Sequence, residues 1–318
     1  MLDITLLGSG GSMPMPHRFL SSLLISYKGR KILIDCGEGT QVAMRKMNTG
    51  FKNIDIICIT HLHGDHVFGL PGLISTMRNS ERTEKIVIVG PEGTRGVLRD
   101  LLSPITYMPF ELDIIENPKT PLEIIKSSVG LQFHEYHESE NQEIIFSTLA
   151  LEHSSPCLGY SFYLKRKPKF SVEKAELNKV PMEIWGRLQK GETVVYDSVV
   201  YEPHMVLGEK RRGIKVSFVS DTRPTEAIPD FIRDSDLFIC EGTYGDDMDS
   251  EKAQRNRHMT FKEAAMLAKD GEVRELLLTH FSPSMDKPEM YRQNAAEIFA
   301  DVIIGYDGYM KTISFKDE

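Results

Sequence analysis

The chain has 318 residues, 41% hydrophobic and 26% charged, enough for a buried core arranged as one large domain or two small ones. No run approaches the ~20 consecutive apolar residues of a membrane span, and the opening Met1-Leu-Asp3 does not read as a secretory signal. The net charge of −8 weighs against broad nonspecific binding to nucleic acid, and four cysteines without Cys-x-x-Cys spacing read as reduced thiols of a cytoplasmic protein.

Ile4-Thr-Leu-Leu7 predicts a first strand, followed by a Gly-rich loop over residues 8–12. Residues 22–26 and 31–35 flank Lys28-Gly-Arg30 and predict a hairpin. Residues 39–47 have helical character, residues 54–60 read as a buried strand, and residues 67–77 as a helix across Pro71-Gly72. Residues 85–89 form the next strand, closed by Pro91-Glu-Gly93, and β-rich runs follow between Phe110 and Leu151. In the last third, strands lead into Asp221, Cys240 and His280. Helices are expected over residues 260–268 and 288–300, with a closing strand over 309–315. Strands mixed with helices throughout imply an α/β architecture with sheets layered between helices.

The run His61-Leu-His63-Gly-Asp65-His66 carries the chemistry. Three of the ten histidines fall within six residues, directly after a buried-looking strand. His61 and His63 stand two apart and face the same way on an extended segment. Asp65 and His66 come round the turn and can face a second ion. Nitrogen and carboxylate ligands of this kind suit zinc. Three further strand patterns end in a metal-binding residue: Thr148-Leu-Ala-Leu-Glu-His153, Lys215-Val-Ser-Phe-Val-Ser-Asp221 and Glu275-Leu-Leu-Leu-Thr-His280. Singly, such a residue is more often structural. Jointly they form a scheme, with His61, His63 and His153 on one ion, Asp65, His66 and His280 on the other, and Asp221 bridging. Two ions about 3.5–4 Å apart can hold a hydroxide between them and clamp both oxygens of a displacement. The donor set also tolerates manganese, iron or cobalt.

Residues 165–200 interrupt the alternation. They carry Pro168, Pro181 and the Gly186/Gly191 pair, and show no sustained periodicity. Between Lys165 and Val195, eight Lys or Arg stand against four Glu, a local +4 inside a chain of −8. They read as an inserted basic arm whose Phe170 and Trp185 either pack locally or meet a partner.

The chain resembles ribonuclease Z, the tRNA 3′-processing endonuclease family of the metallo-β-lactamase fold superfamily, over nearly its whole length. The resemblance rests on Leu6-Leu-Gly-Ser-Gly10, Ile34-Asp-Cys-Gly-Glu-Gly-Thr-Gln41, Thr60-His-Leu-His-Gly-Asp-His66 and Glu152-His153 with Gly159-Tyr160. Ser220-Asp-Thr-Arg-Pro224 and Leu278-Thr-His-Phe-Ser282 complete it. It implies one domain over residues 1–318, a four-layer αβ/βα sandwich with two zinc ions at the sheet edge, and a homodimer. In the dimer the arm acts as an exosite that clasps tRNA on the other subunit. It also implies removal of 3′ trailers from pre-tRNA through a metal-bridging hydroxide. Asp65 would deprotonate the water, while Glu241 and His258 together protonate the leaving oxygen.

Three stretches depart from the family pattern. The first-motif loop, ordinarily Pro-x-x-x-Arg-Asn, keeps Arg18 but continues with Phe19. The arm motif reads Pro181-Met-Glu-Ile-Trp-Gly-Arg-Leu188, keeping Trp185, Gly186 and Arg187 as candidate substrate contacts while placing Glu183 where tRNA backbone is expected. Cys240 replaces the His of the acid motif. None of these touches a ligand. They leave open an alternative, a phosphodiesterase of the same site acting on small or cyclic phosphodiesters. A third reading is a binding protein with a vestigial metal site.

Overall fold

The computed structural model describes residues 1–137 and 143–316. Its strands up to the arm are β1 (Leu2–Gly8), β2 (Ser22–Tyr27), β3 (Arg30–Ile34), β4 (Ile54–Cys58), β5 (Ile86–Gly90), β6 (Leu112–Glu116), β7 (Leu122–Ser127), β8 (Gly130–Glu135), β9 (Ile144–Leu151) and β10 (Cys157–Arg166). The arm holds β11 (Val194–Tyr196) and β12 (Val199–Tyr201). After it come β13 (Arg211–Val219), β14 (Leu237–Glu241), β15 (Leu276–Thr279), β16 (Val302–Ile304) and β17 (Met310–Ile313). A seven-stranded sheet runs β17-β1-β2-β3-β4-β5-β6, and an eight-stranded sheet runs β16-β15-β14-β13-β10-β9-β7-β8.

Period-two alternation decides which side of each strand meets which layer. Leu23 and Ile25 of β2, with Ile32 and Ile34 of β3, point into a core shared with Phe146, Tyr160, Phe162, Val216 and Leu277 of the other sheet. Their neighbours Leu24 and Leu33 point outward, beneath α1 (Thr40–Lys46), α2 (Gly64–Val67), α3 (Leu70–Asn79) and α4 (Thr94–Leu101). The second sheet repeats the arrangement. Leu237 and Ile239 face inward, whereas Phe238 and Cys240 face outward against Ile228 and Ile232 of α7 (Ala227–Ile232) and against helical Phe261 and Ala264. Three apolar layers thus separate helices, sheet, sheet and helices, a four-layer αβ/βα sandwich.

β3 to β6 are mutually parallel, as are β13 to β16, so strand ends gather along one rim. Away from the apolar contacts, Asp55 ties the sheets together. It sits where the β3–β4 register slips, pairs with Arg30 and Arg82, and accepts the Leu131 N–H of β8 at 2.9 Å.

Some expectations shift. The helix expected over residues 67–77 splits into α2 and α3, because Pro71 fits only the first turn of a new helix. The one expected over 288–300 is a single 3-10 turn, Pro288–Tyr291, followed by the short Arg292–Ala296. The arm region contains more regular structure than its lack of periodicity suggested. β10 runs to Arg166 and β13 starts at Arg211. Between them lie α5 (Val172–Leu177), α6 (Trp185–Gln189) and the β11–β12 hairpin, around a small core of Ala175, Ile184, Leu188, Val194 and Val206. Half-buried Phe170 and Trp185 pack against that core, ring centroids 5.1 Å apart, with the indole N–H donating to Val180 O at 2.9 Å. All four cysteines are buried free thiols.

Candidate metal centre

Every ligand-type residue singled out in the sequence lies at the strand-end rim. His61 follows β4, and the tight turn into α2 brings His63, Asp65 and His66 round beneath it. His153 follows β9, Asp221 follows β13 and His280 follows β15. Asp221 (φ 50°) and His280 (φ 59°) sit in the left-handed region. This conformation costs a non-glycine residue energy and turns the chain sharply out of its strand. Gly11 lies against the His280 ring; a Cβ there would stand 2.4 Å from Cε1, so only glycine fits.

The side chains converge. His61 Nε2 lies 3.0 Å from His63 Nδ1, and His153 Nε2 lies 3.4 Å from the same atom. On the other side, His66 Nε2 and His280 Nε2 are 3.2 Å apart, with Asp65 Oδ2 at 3.5 and 3.4 Å from them. Asp221 stands between the groups, Oδ2 at 3.6 Å from His61 and Oδ1 at 3.2 Å from His280. The edges of a tetrahedral site with Zn–N bonds of 2.0–2.1 Å measure about 3.3 Å. The donor spacing therefore suits divalent-metal binding, with His61, His63 and His153 forming one candidate group and Asp65, His66 and His280 another.

The outer nitrogens support the same fit. His66 Nδ1 donates to Asp35 Oδ2 at 2.8 Å, and Asp35 also accepts the Thr60 N–H and hydroxyl, each at 2.8 Å. His280 Nδ1 donates to Thr243 Oγ1 at 3.1 Å, and His153 Nδ1 to the Arg257 carbonyl at 3.2 Å. With Nδ1 engaged in each ring, the Nε2 atoms of His66 and His280 turn towards one another, the orientation two imidazoles need to bind a cation. Burial holds His61 and His153 below the ordinary imidazole range, neutral as ligands must be. Burial opposes charge on Asp65, but His280 and His66 outweigh it and keep the carboxyl far below its usual range.

Glu241, at the end of β14, is fully buried. It accepts the Thr222 N–H at 2.7 Å and the Thr243 hydroxyl at 2.5 Å, and lies 3.2 Å from His258 Nδ1. Burial disfavours charge on His258, but Glu241 and then Asp221 override it and lift the imidazole to about 9. Arg223 holds the loop by donating to the His258 carbonyl and pairing with Glu263. His258 lines an open cleft of about 350 Å³ together with Ser12, His63, Asp65, His153 and Asp221.

The expected substrate contacts are placed differently. Arg18 is buried, its guanidinium donating to the carbonyls of Met285 (2.9 Å) and Asp286 (3.0 Å), where it fastens the loop after His280. Its charge faces the protein. On the arm, Gly186 opens onto free space and Arg187 pairs with Glu192 at 2.9 Å on the exposed surface. Sequence reading passed over Asp35, Thr243 and Arg257. Asp35 ends β3 just as Asp221 ends its strand, a signal that was present; the other two act on ligand histidines remote in sequence, Thr243 on His280 and Arg257 on His153.

Such a cluster at the rim of a four-layer α/β sandwich is the arrangement of the metallo-β-lactamase fold. The short form of human tRNase Z superposes with a TM-score of 0.67 at 25% identity, covering 99% of this chain and 100% of that one. The Bacillus subtilis metallo-β-lactamase fold protein YhfI shares the fold (TM-score 0.64, 17% identity, 98% of each chain). A family model described as anti-Pycsar protein Apyc1 matches residues 2–178. Curated proteins named ribonuclease Z align end to end. The one from Alkaliphilus oremlandii is 61% identical and that from Clostridium beijerinckii 56%, each over 100% of both chains. The chain belongs to the ribonuclease Z family.

Proposed function

We propose that this protein is a zinc-dependent endoribonuclease that removes 3′ trailers from pre-tRNA. The observation that carries the reading is the convergence of the His61–His66 turn with His153, Asp221 and His280 in a chain 61% identical to a ribonuclease Z over its full length. His61, His63 and His153 would hold one ion and Asp65, His66 and His280 a second, with Asp221 available to both. Zinc suits the nitrogen-rich set and manganese is a possible substitute. When bound, the ions polarise the scissile phosphate and lower the pKa of water.

The chain's own groups handle the protons. Asp65 Oδ2 is fixed by the Ser12 N–H at 2.6 Å, leaving Oδ1 to accept a proton from the attacking water. As the water oxygen bonds to phosphorus, the bond to the tRNA 3′-oxygen breaks. His258 uses Nδ1 on Glu241 and presents Nε2 to the cleft, where it protonates that oxygen and leaves a 3′-hydroxyl. The single domain, the arm as a tRNA exosite through Trp185, Gly186 and Arg187, a homodimer, and a cytoplasmic location belong to the same reading.

Labelled 3′-extended pre-tRNA incubated with the zinc-loaded protein tests it, alongside bis-p-nitrophenyl phosphate. Cleavage beside the discriminator base is expected. The inward-facing Arg18 and the exposed Glu183 favour one second reading, hydrolysis of small or cyclic phosphodiesters. Turnover of the diester with pre-tRNA left intact decides for it.

A further inference from the structure

The rim of the cleft facing the ligands is basic, and the proposed function has not used it. α8 (Ser250–Asn256) ends there, and Arg255, Asn256 and Arg257 line the same cavity as His63, Asp65 and His153. Two of the three side chains are anchored. Asn256 Nδ2 donates to the Tyr244 hydroxyl at 2.7 Å. Arg257 takes a left-handed conformation (φ 57°), accepts His153 Nδ1 on its carbonyl and donates its guanidinium to the His153 carbonyl. This clasp fixes the end of α8 against a ligand and holds Arg255 at the mouth. Arg255 itself is exposed and forms no ion pair with any described residue.

We propose that Arg255 is a specificity-determining residue that binds the phosphate next to the scissile one, so that the cleft favours a polynucleotide over an isolated diester. The inference rests on the endonuclease reading and deepens it. A substrate chain threading the cleft carries a phosphate on each side of the reacting one, whereas a small diester carries one phosphate in all. A guanidinium presents a planar fork that matches phosphate oxygens two at a time, and unlike lysine it cannot lose its charge. In a chain of net charge −8, a cation at the mouth acts locally, within a Debye length of about 8–10 Å. Arg255 also lies in the last turn of α8, where a cation complements the helix terminus. That structural role alone makes no distinction between substrates.

The test compares the native protein with Arg255→Ala and Arg255→Lys, all zinc-loaded. Readouts are kcat and KM on 3′-extended pre-tRNA, turnover of bis-p-nitrophenyl phosphate, thermal melting, and binding of a short phosphorothioate-linked oligoribonucleotide across a salt series. Arg255→Ala is expected to raise KM for pre-tRNA roughly tenfold and to lower the magnitude of the salt slope of oligonucleotide binding by about one. Diester turnover should stay unchanged, and Arg255→Lys should recover part of the loss. Equal pre-tRNA kinetics and an equal salt slope in native protein and Arg255→Ala overturn the proposal, as does a parallel loss on the diester with a lowered melting temperature. If the native protein leaves pre-tRNA intact, the endonuclease reading fails by itself. The oligonucleotide titration then decides on Arg255, a reduced slope sustaining the phosphate contact and an unchanged one ending it.

Discussion

Asp35 acts through His66. Its carboxylate accepts the hydrogen bond from His66 Nδ1–H at 2.8 Å and is itself held by Thr60, which fixes the ring plane and leaves Nε2 as the ligand atom. Asp35→Asn keeps the shape but offers a weaker acceptor. It is expected to lower zinc affinity by roughly 10–100-fold, read by calorimetric titration, with the fold intact by circular dichroism. His258 offers a second test, because a leaving oxygen needs a proton only if it is basic. His258→Ala is expected to lower pre-tRNA cleavage by about 10²–10⁴-fold while barely slowing bis-p-nitrophenyl phosphate, whose leaving group is stable as an anion. Equal losses on both substrates rule out the proton-donor role. At this scale the sequence exposed what is local. The His61–His66 turn stands out because its donors are successive, whereas Arg257 bonds to a residue 104 positions away and leaves no local pattern. Arg18 was read as a substrate contact for a related reason. The inward path of its side chain is set by carbonyls at 285 and 286, far along the chain.

Among the elements, α9 (Phe261–Asp270) starts with a capping box, Thr260 and Glu263 each satisfying the other's backbone N–H. Glu263 also pairs with Arg223, so the cap fastens the His258 loop to the strand end bearing Asp221. Thr260→Ala is expected to destabilise the protein by about 1 kcal/mol in urea unfolding. The arm folds around its own core, with Leu188 fully buried. Leu188→Ala is expected to loosen it by about 2–5 kcal/mol locally, weakening pre-tRNA cleavage while leaving diester turnover as it was; impaired diester turnover contradicts a separate substrate-binding role. Strands were the most readable elements, since β4 and β5 are continuous runs of buried, mostly β-branched residues. The arm was the least readable. Its helices span only six and five residues, too short for a periodic signal, and they are held by mutual packing.

Taken whole, the molecule divides its candidate ligands between two sheets. His61, His63, Asp65 and His66 come from the rim of the first, and His153, Asp221 and His280 from the rim of the second. Cations bound there would therefore join the halves as well as supply chemistry. Chelation is expected to abolish hydrolysis and lower the melting temperature, and zinc to restore both, with about 2.7 kcal/mol of stabilisation at a hundredfold excess over Kd. An unchanged melting temperature after verified metal removal contradicts the joining role. Division of the ligands has a further result for a cell that holds its own RNA as potential prey. A proteolytic fragment containing only one sheet inherits half a coordination sphere and no complete place to cut.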